Sequence, residues 1–245
     1  MKKKVTINDY SAFLTGILLA LVLPPAIPFW ACIVGSFVSI ILAKQIFGGL
    51  GLNIFNPALL GRAFLMAAFP TYLTTWTNPI TLDAVTTATP LGLFKFEHVI
   101  TSNMNLFLGN IPGSLGETSA IALLIGALYL FLKKVIDYRI SFAYILTVIL
   151  ISQTTHLINP QNYAPLGFHI FAGGLMIGAF FMATDPVTSP YTKKGRWIFG
   201  IGCGIITMVI RLWGGLPEGV MYSILLMNAV TPLINKATRP KRYGT

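Results

Sequence analysis

The sequence predicts an all-α integral membrane protein, built as a single membrane domain over residues 1–245. The chain is 55% hydrophobic and only 10% charged, and its mean hydropathy is +0.74, whereas soluble domains average about a quarter charged residues. Apolar stretches of helical length follow one another, and most of the basic residues lie in the short connections between them. The net charge of +10 therefore indicates membrane topology and not a nucleic-acid partner.

About eight apolar segments are expected to cross the membrane, and several are shorter than the ~20 residues that a straight spanning helix needs. Pro24-Pro25 interrupts the first segment, and the sixth runs into Asp185-Pro186. We therefore expect broken half-helices, whose irregular backbone is tolerated at membrane depth only inside protein or beside a cavity. The predicted segments are 12–28, 30–47, 57–70, 119–132, 140–158, 168–184, 197–213 and 218–234.

The basic residues predict the orientation of these segments. Starting from a cytoplasmic N-terminus, eight crossings leave only Lys95 and Arg211 on the outer side, so both termini are expected to be cytoplasmic. The residues assigned to the inner side are Lys2, Lys3, Lys4, Lys44, Arg62, Lys133, Lys134, Arg139, Lys193, Lys194, Arg196, Lys236, Arg239, Lys241 and Arg242.

Residues 12–70 and 168–235 carry an internal repeat. The two copies begin five segments apart, an odd number, so they are expected to cross the membrane in opposite directions. Inverted repeats with broken helices at matching positions are typical of transporters and channels, with a site at the repeat interface; the alternative is an old duplication kept for packing. The matched residues are Gly16 and Gly178, Pro24 and Pro186, Pro28 and Pro190, Trp30 and Trp197, and Gly48-Gly49 and Gly214-Gly215.

The long loop 71–118 lies between the third and fourth segments, on the predicted outer side. Connections longer than about 12–15 residues are usually functional or disordered, and the apolar residues of this loop favour folding onto the membrane domain. It ends in GNIPGSLGETSA, where Glu117, Thr118 and Ser119 open the fourth segment. Backbone N–H groups at such a helix start can hold a phosphate, although a glycine-rich stretch of this kind is usually only a turn.

Within this loop, the stretch DAVTTATPL (Asp83 to Leu91) holds three threonines, Thr86, Thr87 and Thr89. Thr89 directly precedes Pro90, and proline disfavours the helical region for the residue before it. The Thr89 hydroxyl is therefore expected on extended backbone. An ordinary Ser/Thr-rich turn is the alternative for this stretch.

Five long blocks carry a resemblance to a known family. They are DAVTTATPL, GNIPGSLGETSAIALLIG, GGLGLNIFNPALLGRAFL, FMATDPVTSP and GGLPEGVMYSILLMNAVTPLI. These blocks resemble the D subunit of the Rnf complex and the homologous B subunit of the sodium-pumping NADH:quinone reductase, over nearly the whole chain. Members of the family usually have two further spanning helices before the DYSA block, whereas only ten residues precede Ser11 here.

The resemblance implies a flavin-bearing electron-transfer subunit of an ion-translocating ferredoxin:NAD+ oxidoreductase in a prokaryotic cytoplasmic membrane. In that family the last threonine of the motif is esterified to the phosphate of FMN, and this position is Thr89. The resemblance also leaves room for a second, non-covalent flavin (riboflavin). The implied partners are membrane lipid and the other membrane and peripheral subunits, including a second FMN subunit and iron–sulfur subunits. The residues assigned to the cofactor are Thr89, Asp83, Thr86, Thr87, Ala88, Pro90, Glu117 and Thr118.

The chain carries no cysteine spacing for an iron–sulfur or metal site, because Cys32 and Cys203 lie apart inside apolar segments. It also has no dinucleotide-binding fingerprint, so electrons must enter from and leave to other subunits. One alternative is the B subunit of the quinone reductase. Another, from a different functional class, is a non-redox channel or facilitator, but a channel has no need of an acceptor threonine in a long folded loop.

Four polar residues near the broken helices are candidates for an ion pathway, because intramembrane polar groups are often functional. Asp185 and Glu218 could instead cap helix ends. His156 and His169 flank an outer loop, and for them an interfacial hydrogen-bonding role is favoured over a proton role. The four candidates are Asn56, Asp185, Glu218 and Asn228.

Overall fold

The computed structural model describes residues 9–77, 84–85 and 89–240 of the chain. Within these ranges the regular secondary structure is helical apart from one two-stranded antiparallel ladder, β1 (Trp76–Thr77) with β2 (Ala84–Val85). The helices are α1 (Ser11–Leu21), α2 (Phe29–Phe37) with a π-helical continuation (Val38–Gln45), α3 (Pro57–Ala68), α4 (Pro70–Thr74), α5 (Pro90–Glu97), α6 (Asn103–Leu108), α7 (Ala120–Leu132), α8 (Tyr138–Ile158), α9 (Leu166–Phe171), α10 (Leu175–Ile177) with a π-helical continuation (Gly178–Met182), α11 (Lys193–Trp213) and α12 (Val220–Thr238).

The predicted breaks are present. Helix α1 ends at Leu21, before the Pro24-Pro25 pair, and the sixth predicted segment consists of short pieces that end at Met182, before Asp185-Pro186. The same segment has a further break that was not predicted, at Gly173 and Gly174, between α9 and α10. Each of the eight predicted segments contains helix.

Side-chain caps start several of the long helices. Asn56 accepts hydrogen bonds from the backbone N–H groups of Ala58 and Leu59 at the start of α3. Ser119, Asp137 and Thr192 play the same role for α7, α8 and α11. Such caps satisfy N–H groups that have no partner within the helix, so these boundaries follow directly from the local sequence.

Helices α8 and α11 form the closest packed pair of the core. A Cβ atom at Gly200 would lie 2.6 Å from the Ile140 carbonyl oxygen, and one at Gly204 would lie 2.6 Å from Cβ of Thr147. Small residues four apart let two helix backbones approach closely. The buried Tyr144 hydroxyl then joins α8 to α11 and α12, through hydrogen bonds with Thr207 (2.5 Å) and Ser223 (2.9 Å).

By length and composition, α8 and α11 are long and apolar enough to cross a membrane, whereas α1, Phe29–Gln45, α3 and α7 are apolar but shorter. Helix α7 is apolar around its whole circumference, and its Leu128 and Leu132 side chains are exposed. An apolar helix face without a protein partner is typical of contact with lipid.

Candidate functional site

Thr89 caps helix α5, on the threonine-rich stretch that the sequence singled out. Its backbone is extended (φ −68°, ψ 144°), and its Oγ accepts a hydrogen bond of 3.2 Å from the Gly92 N–H. Pro90 occupies the first helical position, which suits its fixed φ and missing N–H. The predicted extended backbone at Thr89 is therefore confirmed, and its cause is the proline that follows.

The Thr89 side chain lines a cavity of about 140 Å³. One wall is apolar and aromatic, with Trp76 and Tyr222, and the other is charged. The lining residues include the ends of several elements that are far apart in the sequence. They are Arg62, Met66, Leu73, Thr74, Trp76, Thr89, Leu91, Glu117, Gly173, Leu216, Pro217, Glu218, Met221 and Tyr222.

The charged wall is a buried triad of one guanidinium and two carboxylates. Arg62 Nη1 lies 2.7 Å from Glu117 Oε1, and its Nη2 lies 3.1 Å from Glu218 Oε2. The second oxygen of Glu218 accepts a 2.6 Å hydrogen bond from the Gly174 N–H. Arg62 is only 4% exposed, and its Nε has no partner among the described residues. An unpaired buried charge is costly, so these side chains hold one another in place.

Three local structures bring the triad together. Arg62 projects from the middle of α3. Glu117 precedes α7 in a loop whose N–H groups at Leu115 and Gly116 donate to the carbonyls of Leu23 and Leu21 (3.3 and 2.6 Å). The end of the long loop is thereby docked onto the broken end of α1. Glu218 follows the glycine pair after α11 and reaches the break between α9 and α10.

The carboxyl of Glu117 has an unusual protonation equilibrium. Burial and the neighbouring Glu218 carboxylate raise the pKa of Glu117 to about 7, and Arg62 opposes this shift. One guanidinium shared by two carboxylates leaves an excess negative charge in a buried site, which favours proton uptake. Glu117 is therefore protonated more readily than an exposed glutamate.

Two of the site predictions change in detail. Glu218 does not cap α12, whose N-cap is Gly219 without a side-chain hydrogen bond; it binds Arg62 and Gly174 instead. Helix α7 begins at Ala120, after Glu117 and Thr118, and Ser119 caps it by accepting from the Ala122 N–H. Glu117 instead faces the same cavity as Thr89.

A second polar cluster lies at the N-terminal end of α3. The Asn228 side chain accepts from the Asn56 N–H (3.0 Å) and donates to the Thr188 carbonyl (3.2 Å), while the Asn56 amide donates to the Met182 carbonyl (3.2 Å). Asp185 accepts a hydrogen bond from the Thr188 hydroxyl (2.9 Å). The structure thus groups Asn56, Asn228 and Asp185, and it places Glu218 in the other cluster.

Asp185 stabilises a local turn and also lines a cavity, and its place in an ion pathway stays a prediction. Its hydrogen bond with Thr188 stabilises the turn after the π-helical segment. It also lines a cavity of about 340 Å³ together with Lys44, Asn53, Asn56 and Thr184.

Helix α5 is anchored to the end of α11 by Lys95. The Lys95 ammonium donates to the carbonyls of Ile210, Arg211 and Leu216 at 3.2, 3.0 and 2.9 Å. A cation at a helix C-terminus satisfies carbonyls that have no partner in the helix. The loop that carries Thr89 is therefore fixed to the second half of the molecule.

Sequence reasoning missed Arg62, which it counted as a flank of an inner connection. That assignment is wrong, because Arg62 is buried and contacts Glu117 of the long loop. Its position inside an apolar segment, and not near a segment end, was the available signal. Four further residues predicted for the cofactor, Asp83, Thr86, Thr87 and Ala88, lie outside the described residues.

The two histidines differ from each other. The Nδ1 of His156 lies 2.7 Å from the Tyr163 carbonyl oxygen, so the predicted hydrogen-bonding role of His156 is confirmed. Neither ring nitrogen of the buried His169 has a partner among the described residues. For His169 the hydrogen-bonding role stays a prediction.

Comparison with known proteins identifies the family of the chain. The model of the NQR2, RnfD, RnfE family matches residues 1–244. The chain belongs to this family. It is 51% identical to the D subunit of the proton-translocating ferredoxin:NAD(+) oxidoreductase complex of Clostridium ljungdahlii, covering 99% of the chain and 77% of the relative. It is 50% identical to the D subunit of the Na(+)-translocating ferredoxin:NAD(+) oxidoreductase complex of Acetobacterium woodii (100% and 76% covered).

A further relative is the D subunit of the ion-translocating oxidoreductase complex of Stutzerimonas stutzeri, which is 41% identical over 96% of the chain and 76% of its own length. The three relatives are named as D subunits of oxidoreductase complexes, so the resemblance that the five sequence blocks carried is confirmed. The chain is a membrane-embedded member of the family.

Proposed function

We propose that this chain is the flavin-bearing membrane subunit of an Rnf-type ion-translocating ferredoxin:NAD+ oxidoreductase, with FMN esterified to Thr89. The observation that carries the proposal is the position of Thr89. Thr89 is the N-cap of α5, and it lines a cavity with a buried charged wall. The two relatives at 51% and 50% identity are both named as the D subunit of such a complex. The quinone-reductase B subunit, the alternative within the family, is less favoured for that reason.

The surroundings of Thr89 suit a phosphate ester. The N-terminus of α5 carries a partial positive charge and unpaired N–H groups, which favour a negative group. The Gly92 N–H already points at the Thr89 oxygen (3.2 Å). Lys95, one turn further along α5, adds a positive charge to the same helix, although its ammonium is bound to carbonyls.

The cavity next to Thr89 suits an aromatic ring with polar edges. Trp76 and Tyr222 provide aromatic surface, and Arg62 provides a buried Nε–H with no partner among the described residues. When bound, FMN would supply one- and two-electron transfer, and the protein would position it and tune its electronics. In this chain, Arg62 through its positive charge and Glu117 through its protonation would tune the flavin. The second, non-covalent flavin stays a prediction to which we assign no residues.

The architecture that goes with this function is eight membrane crossings in two inverted repeats. In this arrangement both termini lie on the cytoplasmic side and the loop that carries Thr89 lies on the outer side. Pro24 and Pro186, at matched positions, each follow the end of a helical piece, which supports the repeat. Electrons would reach and leave the flavin through partner subunits, including a second FMN subunit and iron–sulfur subunits.

The ion that moves is not selected by overall similarity, because one relative at 51% identity is named as proton-translocating and another at 50% as Na(+)-translocating. We assign the ion pathway to the cluster of Asn56, Asp185 and Asn228, whose cavity holds amide and carboxylate oxygens. Vesicle transport that depends on sodium, compared with transport that a protonophore abolishes, identifies the ion.

Covalent attachment is tested by in-gel flavin fluorescence of the purified subunit on a denaturing gel, after expression with the flavin-attaching enzyme. We expect a fluorescent band for the natural chain, no band for Thr89→Ala, and bands for Thr86→Ala and Thr87→Ala. Thr89→Ser retains a hydroxyl at the same position and serves as the matched control. Mass spectrometry should place FMN on the peptide containing Thr89.

Two results contradict the proposal. A dark band for the natural chain would favour the channel or facilitator, which needs no flavin. FMN mapped to Thr86 or Thr87 would overturn the assignment to Thr89 while leaving the redox function in place.

A further inference from the structure

Two buried side chains, on α9 and on α11, have hydrogen-bonding atoms that no described residue uses. His169 is 2% exposed and Arg211 is 5% exposed. The two ring nitrogens of His169 and the Nε of Arg211 have no partner among the described residues. Buried polar atoms are nearly always paired, and an unpaired one often marks the place of a water molecule or an ion. These three atoms therefore indicate that a small polar species belongs beside them.

A cavity of about 100 Å³ lies against both side chains. One water molecule takes up about 30 Å³, so the cavity has room for a small ion together with water. Two of its lining residues, His98 and Asn162, are exposed. The cavity therefore borders the protein surface, and an ion can enter it from there.

The charged groups that line this cavity are both positive. They are Lys95 and Arg211, and neither forms an ion pair within the part of the chain that the structure describes. The Lys95 ammonium donates to three backbone carbonyls, and the terminal nitrogens of Arg211 donate to the carbonyls of His169 (2.7 Å) and Ala172 (3.1 Å). Carbonyl oxygens satisfy these donors but carry no net charge. The cavity therefore repels cations and attracts a negative charge.

The neighbouring triad of Arg62, Glu117 and Glu218 does not neutralise this charge in full. Its two carboxylates influence Arg211 electrostatically, but they share the guanidinium of Arg62. With the histidines neutral, the described residues that line the two adjoining cavities hold three cations and two carboxylates. One excess positive charge remains. An uncompensated buried charge is costly, so this excess favours the binding of one negative charge.

The available donors select a small monovalent anion. Arg211 offers its Nε–H, and a neutral imidazole at His169 offers one further N–H. Apolar side chains, including those of Phe94 and Leu212, complete the wall. A sulfate or phosphate ion has several oxygens that need donors and carries more negative charge than the excess at this site. A halide ion is spherical and is satisfied by a few N–H groups.

We propose that this cavity is a chloride site, in which one chloride ion lies between His169, Arg211 and Lys95. The ion accepts hydrogen bonds from the Arg211 Nε–H and from one N–H of His169, and the two cations balance its charge. Lys95 lies on α5 and Arg211 lies on α11. The bound ion therefore helps to hold the helix that begins after Thr89 against the second half of the molecule. The site does not depend on flavin attachment.

Binding is tested by equilibrium dialysis of the purified complex against radioactive chloride, with gluconate as the replacing anion at constant ionic strength. Gluconate is a large organic anion that does not fit this cavity. We expect Lys95→Met and Arg211→Gln each to weaken chloride binding at this site at least tenfold. Arg139→Ala is the matched control, because it removes a basic residue that does not line the cavity, and it should bind as many chloride ions as the natural chain.

Thermal stability gives a second measurement, which also covers Arg211→Gln failing to assemble. A ligand that binds only the folded state raises the Tm as its concentration increases. We expect the Tm of the natural chain and of Arg139→Ala to rise when chloride replaces gluconate, and this rise to be lost in Lys95→Met. If Lys95 only held the helices together, Lys95→Met would lower the Tm equally in both salts.

Two results would overturn the chloride site. One is equal chloride binding by the natural chain and Lys95→Met, with an equal rise in Tm. The other is displacement of chloride by sulfate at a lower concentration than by bromide, because the site is built for a monovalent ion.

Thr89→Ala separates this site from the proposed flavin site. It lacks the attachment point and should bind chloride as the natural chain does, whereas loss of chloride from Thr89→Ala would contradict the assignment to this cavity. A dark gel for the natural chain with chloride binding intact would refute the covalent flavin alone.

Discussion

Removing Arg62 is the most informative perturbation of the fold. In Arg62→Met the two carboxylates of Glu117 and Glu218 remain buried without their common partner. Breaking a buried ion pair from one side typically costs about 3–5 kcal/mol. For a chain of this size, each kcal/mol lowers the apparent Tm by about 2–4 °C, so we expect a loss of roughly 6–20 °C.

The assay is thermal unfolding in detergent, followed with a thiol-reactive dye. The Cys203 thiol is fully buried, so it reacts only when the core opens, and a Cys32→Ser background makes it the only reporter. Arg139→Ala is the control, because its pair with Asp137 is partly exposed and such pairs contribute at most about 1 kcal/mol.

The triple variant Arg62→Met, Glu117→Gln, Glu218→Gln separates charge from packing. Its buried groups are neutral, so we expect it to recover at least half of the lost Tm. If Arg62→Met melts within about 1 °C of the natural chain, or if the triple variant is no more stable than Arg62→Met alone, the triad is not held together by its charges.

Two further predictions concern the connections of the long loop and the short turn before α8. Lys95→Met removes a donor from three carbonyls at and just beyond the end of α11 and should cost about 1–3 kcal/mol, seen as a lower Tm; an unchanged Tm would show that water replaces the ammonium. Burial alone would raise the pKa of Asp137, but hydrogen bonds from the Arg139 N–H and the Arg196 guanidinium lower it overall. Its contribution to stability is therefore present above the ordinary aspartate pKa and is lost as pH falls through the lowered value. The Tm difference between the natural chain and Asp137→Asn should shrink below about pH 4, and a difference that grows with acidity would contradict this sign.

Local sequence rules predicted the helices and the backbone at Thr89. Apolar runs marked the helical segments, Pro24-Pro25 and Asp185-Pro186 marked two breaks, and Pro90 placed Thr89 on extended backbone. These features depend on a few neighbouring residues, so the sequence contains the information directly.

The triad could not be predicted in the same way. Arg62, Glu117 and Glu218 are separated by 55 and by more than 100 residues, and only the docking of loop onto helix brings them together. Arg62 also satisfies the rule that basic residues flank cytoplasmic connections, and that rule gave the wrong environment. A charge count along the sequence does not distinguish a buried cation from one at a segment end.

Both polar clusters include a residue of helix α3 or its N-cap, so the distance along this helix gives an estimate of the electrostatic energy between them. Asn56 and Arg62 are six residues apart on α3, or about 9 Å along the helix. A change of one unit of charge at the triad changes the electrostatic energy of a cation near Asn56 by about 2 kcal/mol, at an effective dielectric constant of about 20. Allosteric coupling free energies are typically about 1–3 kcal/mol. If the Asn56 cluster is the ion pathway proposed above, a change of charge beside Thr89 is therefore sufficient to alter its affinity for an ion without any movement of α3.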